Sequence, residues 1–71
     1  MTEAQKIGAR IQEHIGYSGK PAAQVATMMG VNPAVLYNYI RGRSVPGGVV
    51  LKKLCKVLDC TYEDILGPID E

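Results

Sequence analysis

The sequence predicts an all-α fold, a compact bundle of five short helices, and three observations carry that prediction. Apolar residues recur at helical spacing in five segments, around Ile7, Val25, Leu36, Leu54 and Ile65. Helix-start residues precede them: Thr2, then Asn32 with Pro33, then Thr61. Helix-stop glycines follow them at Gly30, Gly42 and Gly67.

The first helix begins at Thr2, whose spacing to Gln5 has the sequence form of a capping box, and is read as running to about Ile15. Its apolar face is Ala4, Ile7, Ile11 and Ile15, which leaves Lys6, Arg10 and Glu13 free for solvent or a partner. Gly16 to Lys20 reads as a turn. A second helix starts near Pro21 and buries Val25, Ala26 and Met29. Gly30 follows the apolar Met28 and Met29 and is the residue best able to take the left-handed conformation that stops a helix abruptly. The chain turns through Val31. Asn32, as an amide-accepting cap, and Pro33, which lacks the donor a first helical position cannot use, start a third helix running to about Arg41. It buries Leu36, Tyr39 and Ile40, and Gly42 ends it. After a loop from Arg43 to Gly48, a fourth helix from about Val49 to Leu58 turns Val50, Leu51, Leu54, Cys55 and Leu58 inward and Lys52, Lys53 and Lys56 largely outward. Thr61 with Asp64 caps a last short helix, which Gly67 and Pro68 terminate before an acidic tail of Asp70 and Glu71.

Composition narrows the possibilities. The 71 residues, 46% of them apolar but with no Trp or Phe, are read as one domain (1–71) with a single core of modest stability. A domain of this size buries only about 60% of the surface its unfolded chain exposes, which favours a helical bundle with few long loops. No apolar run approaches a membrane span. The opening MTEAQKIGARIQEH lacks the basic start, apolar run and cleavage site of a secretory signal, so a cytoplasmic location is expected. Cys55 and Cys60, five apart, are a poor disulfide framework and are expected reduced and buried. With His14 far away in sequence they lack the number and spacing of a zinc site. There is no carboxylate pair in an apolar pocket, no nucleophile with a base and no phosphate-cradling Gly-rich loop. Neither an enzyme, a metal, a cofactor nor a small-molecule substrate is therefore expected.

The segment from about 22 to 41 carries the functional signal. Two short helices meeting steeply through a three- or four-residue turn need a small residue at their crossing, a turn residue, and apolar plugs. Ala26, Gly30, Val31, Leu36 and Tyr39 supply them in the order a DNA-reading helix-turn-helix requires. Beyond that segment, IGARI in the first helix, VATMMGV across the turn, LYNYIRGR in the third helix, the proline of SVPGG and the closing LKKLCKVLDCTYEDILG complete a wider pattern. Together they cover nearly the whole chain, which resembles the Cro/phage-repressor class of helix-turn-helix transcriptional regulators. That resemblance implies a five-helix lambda-repressor-like fold, a bacterial or phage regulator of the cytoplasm or nucleoid, and double-stranded DNA as the partner.

With Leu36, Tyr39 and Ile40 turned inward, the opposite side of the third helix carries Ala34, Tyr37, Asn38 and Arg41, with Pro33 at its start. These five are the expected base-reading residues. Asn38 can pair bidentately with an adenine edge, Ala34 and Pro33 can pack on a thymine methyl, and Tyr37 can reach a base or phosphate through its hydroxyl. Phosphate contacts are expected from Lys20, Asn32, Arg43 and the backbone of Gly47 and Gly48, with Arg41 also in reach. A fourth helix beginning near those glycines would direct free amides at the duplex backbone. Net charge is only +1, but it is polarised: five of the seven acidic residues lie at or after Asp59, and five of the eight basic ones fall between Lys20 and Lys53.

The chain departs from the family pattern in three places. Relatives usually open the second helix with Ser or Thr then Gln, a phosphate clamp, where this chain has Pro21 and Ala22. They often pair an Arg near the end of the first helix with a Glu near the end of the third, where this chain has Ile15 and Ile40. Replacing a buried ion pair by aliphatics is often neutral or stabilising, so Ile15 is expected to touch Ile40. His14 stands where a core Leu is common and is expected to be partly buried. One domain covers a short half-site, so a homodimer on DNA is expected, with Tyr62, Ile65, Leu66 and Ile69 as a candidate apolar patch. The alternative is a protein-interaction module, an adaptor or antitoxin-like partner with weak or no DNA binding.

Overall fold

The computed structural model describes residues 1–67 and builds them from five helices: α1 (Glu3–Ser18), α2 (Ala22–Met29), α3 (Pro33–Ile40), α4 (Gly48–Leu58) and α5 (Tyr62–Leu66). The local start signals work as the residues suggest. The Thr2 hydroxyl accepts from the Gln5 amide at 3.1 Å while the Thr2 amide donates to Gln5 Oε1 at 2.9 Å. Thr61 and Asp64 repeat that reciprocal box at the start of α5.

α1 extends past its expected end. It runs through Gly16 to Ser18, and Gly19, at φ 73, is the left-handed cap. Nothing crowds Gly16, so its place inside the helix costs only the conformational freedom it gives up. The Ser18 hydroxyl then donates to the Ile15 carbonyl at 2.7 Å and accepts from the Lys20 amide at 3.1 Å, which closes the end.

At the α2–α3 turn, Gly30 (φ 76) donates to the carbonyl of Thr27 and Val31 donates to that of Ala26, each at 3.0 Å. This paired arrangement stops α2 in one residue and leaves Asn32 Oδ1 to accept from Ala34 N at 2.8 Å as α3 begins. α3 ends the same way, Arg43 donating to Asn38 and Gly42 to Tyr39.

The core takes one fully buried large side chain from each helix: Ile11, Val25, Leu36, Leu54 and Ile65. Burying each stabilises the fold by roughly 1.5–3 kcal/mol before the entropy of ordering is subtracted. Ile7, Ile15, Ala26, Met29, Tyr39, Leu51, Cys55 and Leu58 fill the spaces between them. Ala4, Ile40 and Val50, expected to face inward, are only half-buried; Ile40 and Val50 pack on the rim of this cluster. Ile15 is buried and Ile40 lies against the same cluster.

Two long-range features seat α3 and α5 on α1. Gly8 is buried because the C-terminal carbonyls of α3 lie directly on α1 there: a Cβ at that position would run into the oxygens of Tyr39 and Ile40. Arg10, expected to be free, instead donates from Nη1 to the Leu66 carbonyl at 2.9 Å, capping the end of α5 and tying the two ends of the bundle together. Lys6 does remain at the surface, 3.7 Å from Glu3.

Candidate nucleic-acid interface

The candidate reading surface is the side of α3 left uncovered by α1 and α2. Leu36 and Tyr39 are buried, so the helical period turns Ala34, Tyr37 and Arg41 outward, and all three are exposed. Pro33 and Asn38 are half-buried at the edge of that side. The five residues expected to read bases therefore share one helix face. Asn32, one residue earlier, has its Oδ1 committed to the helix cap, which leaves its amide Nδ2 as the donor available to a phosphate.

Val35 was not among the expected residues. It is 37% exposed, and on the helix it neighbours Asn38 three residues on, so it adds a branched apolar group at that edge of the face. Val35 borders the inward Tyr39 on the flank opposite to Ile40, so its exposure widens the uncovered sector on that side.

The helix N-termini differ in a way that bears on anions. α1, α3 and α5 have Thr2, Asn32 and Thr61 as side-chain caps, whereas α2 starts at Pro21 and α4 at Gly47 with no side-chain cap bond. The first amides of those two helices keep their donors, and each helix end carries about half a positive charge. At α4 the two exposed glycines leave those amides without side-chain cover, and α4 begins at Gly48 rather than at Val49. Gln24 is exposed in the first turn of α2, a carboxamide close to the place where the customary clamp is missing. Arg41 and Arg43 are exposed at the end of α3, and Lys20 is half-buried just before α2.

The remaining expectations fall as follows. His14 is half-buried, its ring edge-on to that of Tyr17 at 5.3 Å between centroids and 84° between planes. Of the candidate dimer patch, Ile65 is fully buried in the core, Tyr62 and Leu66 are exposed, and Ile69 lies outside the described residues, as do Pro68, Asp70 and Glu71. Among the described residues no group of three or more His, Cys, Asp or Glu is arranged around a possible metal ion, and no helix is long and apolar enough to cross a membrane.

An exposed helix presented through a tight glycine turn from a second helix, with five helices closing around one core, defines the helix-turn-helix class. The helix-turn-helix family HTH_3 matches residues 18–65, and the chain belongs to that Cro/C1-type family of DNA-binding transcriptional regulators. Similar solved structures include the clp gene regulator ClgR from Corynebacterium glutamicum, at 23% identity and TM-score 0.84 over 93% of this chain and 86% of that one. A second structure of ClgR matches with TM-score 0.86 at 23% identity, over 93% of this chain and 70% of that one. The restriction-modification controller protein C.AhdI from Aeromonas hydrophila matches at 22% identity and TM-score 0.82, over 87% of this chain and 94% of that one. At these identities the likeness shows the fold. No curated protein sequence matches the chain.

Proposed function

We propose that this protein represses transcription by occluding promoter DNA, binding as a homodimer that places the exposed side of α3 from each protomer in successive major grooves. The observation that carries the reading is the uncovered face of α3, where Pro33, Ala34, Tyr37, Asn38 and Arg41 lie together with Val35. Asn38 supplies the bidentate donor–acceptor pair that suits adenine, and Pro33, Ala34 and Val35 supply apolar surface for thymine methyls. Tyr37 reaches a base or a phosphate. Arg41 reads a base edge or bonds the backbone.

Positioning falls to Lys20, Asn32, Arg43 and the uncapped amides at Gly47 and Gly48, which bond phosphates without reading sequence. Pro21 and Ala22 in place of the customary clamp shift that work onto the amides of α2 and onto Gln24. Acting in the bacterial cytoplasm, a dimer of this domain reads two half-sites about 34 Å apart. That the similar structures are of a gene regulator, ClgR, and a controller protein, C.AhdI, supports regulation as the role.

A second reading has its own observation. Met28, Val35, Val45 and Val49 are exposed apolar side chains, and exposed apolar groups suit a protein partner where they adjoin. Selection of bound sites from random duplexes separates the two. Enrichment of a two-fold symmetric site, bound less tightly as salt rises, supports the repressor; failure to retain any duplex at low salt supports the interaction module.

A further inference from the structure

α4 ends on a left-handed cap whose two amides, of Asp59 and Cys60, share one carbonyl. Asp59 takes the left-handed conformation at φ 55, and the Cys60 amide donates to the Cys55 carbonyl at 3.0 Å. In such a cap the side chains at the two ends of that bond lie against each other. Here both are cysteines, and each thiol lies close enough to perturb the titration of the other. They are free, and Cys60 is the more accessible: it is half-buried, while Cys55 is 6% exposed. A depression of about 500 Å³ opens over them, lined also by Lys52, Lys56, Asp59, Thr61 and Tyr62.

We propose that Cys55 and Cys60 are a closable dithiol, a modification site where a small carboxylate-bearing disulfide of the oxidised-glutathione type drives formation of an intramolecular Cys55–Cys60 bond. This does not rest on the proposed function. The 6→1 backbone bond draws the two residues together, and a disulfide asks for Cα atoms about 4.4–6.8 Å apart. Lys52 and Lys56 give the depression ammonium groups for the carboxylates of the reagent.

The step balances. The Cys60 thiolate attacks one sulfur of the reagent, forming a mixed disulfide and releasing one thiolate. The Cys55 thiolate then attacks Cys60 Sγ, closing the protein disulfide and releasing the second. The two protons lost from the cysteines end on the two released thiols, so one disulfide is reduced as another forms.

Burial pushes the Cys60 thiol up to about 12, and the adjoining Cys55 thiol, Asp64 and Asp59 add to the shift; burial raises Cys55 as well. Closure is therefore slow at neutral pH and accelerates by about tenfold per pH unit towards alkaline solution.

The test treats the full chain with oxidised glutathione at pH 7 and pH 9, quenches by alkylation, and maps tryptic peptides by mass. Cleavage after Lys56 separates the two cysteines, so closure joins the 54–56 peptide to the 57–71 peptide. The proposal expects those peptides linked, faster at pH 9, with the protein monomeric in covalent terms and free of glutathione. Cys55→Ser is expected to stop at a persistent glutathione adduct on Cys60, and Cys60→Ser to react far more slowly, provided each retains its helical circular dichroism. Unlinked peptides, stable adducts on both cysteines of the wild type, or disulfide-joined pairs of chains would overturn it. The wild-type linkage decides the matter even where a variant fails to fold.

Discussion

Alanine introduced at two glycines of α1 is expected to act with opposite sign. At Gly8 the new Cβ meets the carbonyl oxygens of Tyr39 and Ile40 and comes within 2.9 Å of the Ile40 carbonyl carbon. All three are backbone atoms, so α3 must lift off α1 rather than a side chain turning aside. Overpacking of this kind costs about 3 kcal/mol at the upper end of its usual range, and the better helix propensity of Ala returns about 1 kcal/mol, for a net loss near ~2 kcal/mol. At Gly16 nothing lies within 4 Å of the new methyl, so the same substitution stabilises by about 0.5–1 kcal/mol. In a domain of this size those changes correspond to a midpoint about 8–16 °C lower for Gly8→Ala and about 2–8 °C higher for Gly16→Ala. Thermal and urea unfolding followed by circular dichroism would read both. If Gly8→Ala raised the midpoint as Gly16→Ala does, the close seating of α3 on α1 would be refuted. Because that seating orients the reading face, Gly8→Ala should also weaken duplex binding, while Gly16→Ala leaves it intact.

Four further outcomes follow from particular residues. Asn38→Ala should cost about 1–3 kcal/mol of discrimination at one base position and relax the selected site there alone, which repeated site selection would detect. Arg43→Ala should weaken binding to all sequences alike and flatten the log–log salt dependence by about two for a dimer, measured by fluorescence anisotropy across a salt series. Alkaline stability tests the buried thiol: the folded state keeps the Cys60 proton up to about pH 12 while the unfolded chain loses it near the ordinary thiol value of 9.0. Its contribution is therefore full below about pH 9 and is lost as pH rises towards 12, so Cys60→Ala should flatten the fall in unfolding midpoint across that window. A double-mutant cycle on Ile15→Ala and Ile40→Ala should give a coupling of about 0.5 kcal/mol or more if the side chains touch, and additive losses would show that they do not.

What the residues announced in advance was mostly local. Thr2 with Gln5, Gly30, Asn32 with Pro33, and Thr61 with Asp64 each satisfy backbone groups within a few positions of themselves, so their geometry follows from spacing alone. The inward stripe of α2, and that of α4 but for the half-buried Val50, came out of periodicity for the same reason. What escaped was tertiary. The bond from Arg10 to Leu66 spans 56 residues, and no local rule distinguishes that arginine from Lys6 beside it. Gly8 looked like any helical glycine until α3 was laid across it, and Gly16 looked like a stop because its cost is real, yet Ser18 and Gly19 provide a better one. On the reading face, Ala34, Tyr37 and Arg41 were legible from a helical wheel. Val35 was not, because it borders the inward Tyr39 on the helix and its exposure depends on how much of that flank the packed helices leave uncovered.

The central claim is that α3 touches base edges, and backbone amide shift mapping on the enriched duplex tests it most directly. Large shifts are expected along residues 33–41 and at the first amides of α2 and α4, with α5 little moved. Unchanged signals in α3, alongside a response confined to another surface, would contradict the account.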